Sequence, residues 1–324
     1  MMPARITEAI LRAERGGDRG EEIQMMKEGP HGIVAFALGT GRCGTQFLQR
    51  VLAMEPAVAS HHERHPMGDA FHRYCRWYDL PVDREAFLST KEAGIREDLE
   101  RHRVSFESSA YLSLSAEELC ERFDARLVLL IRSPERVVAS YLRKGWYRTA
   151  LLRKDKELAP GYQPAPDRPH HPFSRIAPVG GEANKWEGYT PLGKLAWYWH
   201  ALNTAVLEGF ERIPAANRRV IRLEDLDHPA YLALARFIGF SPTVDVRRYE
   251  NLAHSRPNRR GKPQVARPWS ETECAEFEAE VAELAAEFGY EWRIGRIQAN
   301  IDAGGNGSGR GAGRGGWFGR LLRR

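Results

Sequence analysis

No apolar run in this chain is long enough to cross a bilayer, and charged residues interrupt every hydrophobic stretch of the opening segment MMPARITEAILRAERGGDRGEE. Neither a signal peptide nor a membrane span is expected, and the expected location is cytoplasmic. Cysteine is scarce: Cys43, Cys75, Cys120 and Cys274 stand far apart with no paired spacing. Such scatter argues against a disulfide framework and a zinc site, and fits a reducing compartment. Acidic residues are missing after Ala303, where Arg310, Arg314, Arg320, Arg323 and Arg324 carry all the charge. The net charge of +5 therefore resides in that tail. The body is near neutral, so nucleic acid is not an expected partner.

The remainder is ordinary for a globular protein. The chain has 324 residues, 42% of them hydrophobic and 28% charged, enough for one substantial core with appendages. Its most informative element is residues 33–48, IVAFALGTGRCGTQFL: a short apolar strand, a glycine-rich turn with one arginine, and the start of an apolar helix. Gly39, Gly41 and Gly44 permit backbone angles that let successive amides curl around an anion, and the first amides of the helix point at the same place. Arg42 adds a planar fork and Thr45 a hydroxyl, completing a phosphate cradle. A nucleoside-triphosphate loop would need a lysine and a serine or threonine directly after the last glycine. Here Thr45 and Gln46 follow Gly44. A ligand with fewer phosphates and no metal is therefore expected.

Beyond this element, strands alternate with helices. Strand candidates are residues 56–60 (PAVAS), 104–106, 126–131 (RLVLLI) and 219–223 (RVIRL), with helices near 68–77 and 84–101. The pattern predicts a three-layer α/β/α domain with a central, mostly parallel sheet of about five strands. The binding crevice would lie at the carboxyl ends of those strands. Residues 1–30 are an expected helical or flexible extension and 31–293 the folded domain. Within it, residues 151–192 carry prolines at positions 160, 164, 166, 169, 172, 178 and 191, a substrate-facing lid or a plain surface insertion. Residues 294–324 are a flexible Gly/Arg tail ending in WFGRLLRR, a segment suited to weak contact with an anionic membrane or a partner, or simply a solubilising tail. Trp197 and Trp199, in LAWYWHALNTAV, are expected in the core rather than as platforms for a base.

A second motif follows the buried fourth strand. Arg132 stands at its end, Pro134 opens a helix, and Ser140 lies two helical turns on, so that both side chains can reach a phosphate distinct from the one in the glycine loop. Read alone, Arg136, Arg143 and Arg148 nearby are equally a solvated basic face. Taken together, GRCGTQF and the pair Arg132 and Ser140 resemble the sulfotransferase superfamily, which uses 3′-phosphoadenosine 5′-phosphosulfate as donor on a P-loop-like fold. The resemblance extends to VIRLEDLDHPAYLALARFIGF (residues 220–240) and FGYEW (288–292), covers about residues 31–293, and lies closer to the carbohydrate and bacterial branch than to the small-molecule cytosolic one.

The resemblance implies transfer of a sulfuryl group to an acceptor hydroxyl, a carbohydrate or glycolipid being favoured, without a metal. Arg42, Cys43, Gly44, Thr45 and Gln46 would hold the 5′-phosphosulfate, with Arg42 near the leaving oxygen; Arg132 and Ser140 would hold the 3′-phosphate. The family places its base just after the second strand, where this chain has SHHERHP, so Glu63 is the expected general base and His62 the second candidate. Three histidines and a carboxylate crowd there without a familiar metal-ligand spacing. FESSAY (residues 106–111) resembles a run of the heparan-type enzymes, but Ser108 replaces their active-site lysine and Ala110 their proline, so any cation needed there must come from elsewhere. Glu107 and Ser109 are site contacts or a plain strand-end turn. Arg259, Arg260 and Lys262, in NRRGK, resemble a shortened loop that closes over the 3′-phosphate, or form a solvated charge run. Two alternatives stand beside this reading: a metal-dependent kinase on a related fold, and a non-catalytic protein that keeps the nucleotide pocket.

Overall fold

The computed structural model describes residues 32–148, 173–255 and 268–290. Five strands form one sheet: β1 (Ile33–Leu38), β2 (Val58–His62), β3 (Val104–Ser108), β4 (Arg126–Ile131) and β5 (Arg218–Arg222), in the order β2-β3-β1-β4-β5. Every pairing is parallel. The helices are α1 (Thr45–Leu52), α2 (Pro66–Trp77), α3 (Arg84–Leu99), α4 (Ala116–Phe123), α5 (Pro134–Arg143), α6 (Glu182–Glu187), α7 (Pro191–Glu211), α8 (His228–Ile238), α9 (Val246–His254) and α10 (Glu271–Glu287). Among the described residues no helix is long and apolar enough to cross a membrane.

Strand alternation divides the core into two layers. Val34, Phe36 and Leu38 of β1, with Leu127, Leu129 and Ile131 of β4, face the side covered by α3, α4, α5, α7 and α10. Ala35 and Ala37, with Val128 and Leu130, face the side covered by α1, α8 and α9. Both faces of the sheet are thus buried, which explains the unbroken apolar run RLVLLI. Trp199 is fully buried and Trp197 nearly so, both in the first layer, as the sequence predicts.

β2 starts and ends two residues later than expected. Its register with β3 continues through His61↔Glu107 and His62↔Ser108, so ladder pairing draws two polar histidines into the strand and also lengthens β3 by two residues. Of the proline-rich stretch, residues 173–192 are described. Within them Ile176 and Trp186 are buried in the main core. The extension before residue 32, residues 149–172 and the tail with WFGRLLRR lie outside the described residues.

From β1 the chain crosses to the β2 side of the sheet; from β4 it crosses to the β5 side. The carboxyl ends of β1 and β4 therefore flank a switch point, where a crevice opens in a parallel sheet. α3, α7, α8, α9 and α10 each begin with a side chain that accepts a first-turn amide, from Asp83, Thr190, Asp227, Asp245 and Ser270. α1, α2, α4, α5 and α6 have no such cap among the described residues, and of these α1 and α5 start at the crevice. At α5 the Arg136 amide is already bonded to the Ser133 carbonyl at 3.1 Å, so of the two it is α1 whose first amides are left for something else.

Candidate active site

Residues 39–44 form a turn held from behind. Gly41 adopts φ +75°, and a Cβ there would lie 2.4 Å from the Tyr141 hydroxyl. That hydroxyl donates a 2.7 Å hydrogen bond to the Thr40 carbonyl, fastening the loop to α5. Gly44, at φ +105°, starts α1 and lies against Leu223. Between them Arg42 takes φ +57°, an uncommon angle for a residue with a side chain. This alternation turns Cys43 inward, where it is wholly buried, and burial pushes its thiol up to about 11. Of the donors expected from Cys43, only the amide can face a ligand. Gln46, partly exposed, sits in the first turn of α1.

The two sequence motifs meet here. Arg42 Nε donates to Ser140 Oγ at 2.8 Å, and Arg132 Nη1 donates to the Arg42 carbonyl at 3.0 Å. The Arg132 carbonyl in turn accepts from Trp199 Nε1 at 2.9 Å, so the core tryptophan fixes the end of β4. Burial pulls the Arg132 guanidinium below its ordinary range, with Glu224 opposing. Glu224 accepts from the Ser133 amide at 3.2 Å and from the Tyr290 hydroxyl at 2.9 Å. The segments around residues 224 and 290, noticed separately in sequence, thus brace the turn that carries Arg132.

The end of β2 brings the base candidates to the same loop. His62 Nε2 shares a 3.1 Å hydrogen bond with Thr45 Oγ1, and His62 Nδ1 lies 3.9 Å from Glu63 Oε2. Burial lowers the His62 pKa, so its ring is neutral at pH 7; Arg42 adds to this and Glu107 opposes it. Glu63, at φ +50°, leaves the strand with its amide bonded to the Ser108 carbonyl at 3.0 Å. Burial raises its carboxyl above the ordinary glutamate value, with Arg73, Lys144 and Arg42 opposing and Glu107 adding to it. The rest of HHERH diverges: His61 bonds Asp98 at 3.0 Å, and Arg64 also pairs with Asp98. Among the described residues no group of three or more such side chains could hold a metal.

FESSAY is mostly structural. Ser108 Oγ donates to the Thr45 carbonyl at 3.1 Å, and Ser109 Oγ accepts the Tyr111 amide at 3.1 Å, the strand-end turn foreseen as one reading. Glu107 is buried on Lys91. Arg259, Arg260 and Lys262 lie outside the described residues.

Sequence reasoning missed the cations around Glu63. Arg73, wholly buried in α2, donates to the Ala110 carbonyl at 3.0 Å, the Tyr198 hydroxyl at 3.2 Å and the Ser174 carbonyl at 2.7 Å, and lies over the Tyr111 ring. Lys144 follows α5; burial and Arg42 lower its pKa while Glu63 opposes. Neither belongs to a motif, and an arginine within FHRYC or a lysine among RKGWYR gives no local signal of its neighbours.

No protein-family model matches the chain, and no curated protein matches it. Solved structures similar to it include the sulfotransferase domain from the curacin biosynthetic pathway, at 15% identity and TM-score 0.45, covering 81% of this chain and 99% of that one. The sulfotransferase domain from the Synechococcus PCC 7002 olefin synthase is similar at 14% identity and TM-score 0.42, covering 85% and 100%. Sulfotransferase STF9 from Mycobacterium avium is similar at 16% identity and TM-score 0.44, covering 81% and 78%.

Proposed function

We propose that this chain is a sulfotransferase that takes a sulfuryl group from 3′-phosphoadenosine 5′-phosphosulfate and passes it to an acceptor hydroxyl, a carbohydrate or glycolipid being favoured. One observation carries the reading: contacts link the glycine loop both to Arg132 and Ser140 and, through Thr45 and His62, to the partly buried carboxylate of Glu63. Two cationic anchors, an uncapped helix start and a carboxylate of raised pKa are the parts that a two-phosphate donor and a proton-losing acceptor require.

The residues present fit such a donor. When bound, it supplies the activated sulfuryl group. The amides opening α1, with Arg42, are suited to hold its 5′ end and to take up charge on the departing 5′-phosphate oxygen. Arg132 and Ser140 are suited to its 3′-phosphate. Holding both ends fixes the sulfur for in-line attack. Glu63 accepts the proton as the acceptor oxygen bonds to sulfur and the bond from sulfur to the 5′-phosphate breaks. His62, held neutral and bonded to Thr45, orients that threonine. No metal is assigned a role.

Calorimetric titration with adenosine 3′,5′-bisphosphate in the presence of a chelator tests this reading, followed by a labelled-sulfate transfer screen across sugar, lipid, phenol and peptide acceptors. Binding that survives chelation, with label in an acceptor, supports it. Absence of binding overturns it, and binding that requires magnesium favours a kinase.

A further inference from the structure

Behind Glu63 lies a charge cluster that takes no part in the chemistry above. Lys91 Nζ, from the middle of α3, is 2.7 Å from Asp69 Oδ2 and 3.0 and 2.9 Å from the two oxygens of Glu107. All three side chains are almost wholly buried: 1% of Lys91, 2% of Asp69 and 5% of Glu107 is exposed. One cation thus faces two carboxylates away from water, an arrangement that apolar residues of similar size would often match or exceed in stability. Its geometry suggests a different use. Glu107 Oε1 also accepts the Arg64 amide at 3.0 Å, immediately after Glu63, whose own amide is bonded to the Ser108 carbonyl at 3.0 Å. The end of β3 therefore grips the backbone on both sides of a residue held at φ +50°.

We infer that Glu107 is a positioning residue for the Glu63 carboxylate, and that Lys91, bonded to both of its oxygens, keeps it in place. The backbone ladder ends at His62↔Ser108. Beyond that pair the chain turns away, and the carboxylate of Glu107 supplies the acceptor that ladder geometry no longer provides. A left-handed residue without glycine's freedom stays in that conformation only where its surroundings over-determine it. Lys91 stands one layer further back, on Glu107 and Asp69. Its cation acts on the carboxylate that orients the base rather than on the reacting group.

This inference rests on the sulfotransferase reading, and the experiment separates the two. Glu107→Ala and Glu107→Gln are compared with wild type for thermal melting, affinity for adenosine 3′,5′-bisphosphate, kcat and KM for transfer, and hydrogen exchange at the Arg64 amide. In Glu107→Ala the Arg64 amide is expected to exchange about tenfold faster or more, as loss of one charge-assisted bond implies. Its kcat is expected to fall at least as far, while donor affinity stays within about twofold, because none of the donor-holding groups contacts Glu107. Glu107→Gln keeps an oxygen for Arg64 and is expected to recover much of both; Glu107→Met, which keeps the side-chain length without an acceptor, serves in place of the alanine variant should that one fail to fold. Unchanged Arg64 exchange, or a parallel loss of donor affinity and kcat, overturns the positioning role. A wild type that neither binds the bisphosphate nor transfers sulfate overturns the functional reading instead.

Discussion

Arg42 and Ser140, 98 residues apart in sequence, are joined by a 2.8 Å hydrogen bond from Nε to Oγ. The bond closes the crevice between β1 and β4 and makes two motifs one surface. Ser140 is therefore placed both to steady Arg42 and to meet an anion. Ser140→Ala is expected to weaken adenosine 3′,5′-bisphosphate binding about tenfold, the equivalent of one hydrogen bond to a charged group, with an unchanged melting temperature. Calorimetry reads the first and thermal unfolding the second. Unaltered affinity would place Ser140 outside the ligand's reach.

The Glu63 carboxyl sits above the ordinary glutamate value of 4.5, mainly through burial. A base works when deprotonated, so a raised pKa moves the acidic limb of the rate profile upward. Activity is expected to climb with pH through a midpoint above that of a free glutamate, and Glu63→Gln to lower kcat by about 10²–10⁴. His62→Asn should lower kcat less and leave the acidic limb where it is, since that limb belongs to Glu63 and His62 acts through Thr45. A limb that disappears in the His62 variant and survives in the Glu63 variant would reverse the two roles.

Gly41 and Tyr141 make the loop a rigid part. A Cβ at residue 41 meets the Tyr141 hydroxyl at 2.4 Å, and φ is +75°. Gly41→Ala is expected to cost about 1–3 kcal/mol in chemical denaturation and to abolish donor binding, because the loop must move off Thr40. Tyr141→Phe removes only the bond to the Thr40 carbonyl and should cost about 1 kcal/mol. Equal stability of Gly41→Ala and wild type would show that the loop tolerates another shape.

Much of this was legible because it is local. The strand, glycine turn and helix of residues 33–52, and the arginine and serine after β4, are each set by backbone requirements that sequence spacing records. The burial of Trp197 and Trp199 followed from an apolar helix. The surroundings of Glu63 were not legible. Arg73 and Lys144 act on it from α2 and the end of α5, Lys91 of α3 holds Glu107 behind it, and only the folded sheet brings them together. Lys91 sits in a strongly charged helix, yet its side chain is 1% exposed. The strand shift at His61 and His62 was hidden for a related reason: the partner strand decides it, not the histidines.

A stability prediction lies far from the crevice. Glu55 is buried and accepts from the Thr243 hydroxyl and amide, both at 2.7 Å, the Val244 amide at 3.0 Å, and the Tyr231 hydroxyl. Burial alone would raise its pKa; these bonds outweigh burial and hold it below the ordinary value. Its contribution is therefore full above the unfolded glutamate pKa of 4.5 and is lost as pH falls through the folded value. Glu55→Gln is expected to lose about 1–3 kcal/mol at pH 7, and less in acid, in urea melts at the two pH values. A deficit that does not shrink in acid would mean that the carboxylate charge is not what these donors hold.

The division of labour between binding and chemistry is tested most directly by titrating adenosine 3′,5′-bisphosphate into wild type, Arg132→Ala and Glu63→Gln under one set of conditions. Arg132 is expected to hold the 3′-phosphate with a charge-assisted bond, and Glu63 to touch only the acceptor's proton. The account predicts near wild-type affinity for Glu63→Gln and an affinity about a hundredfold lower, or no measurable binding, for Arg132→Ala. Equal loss in both variants, or equal retention, would contradict it.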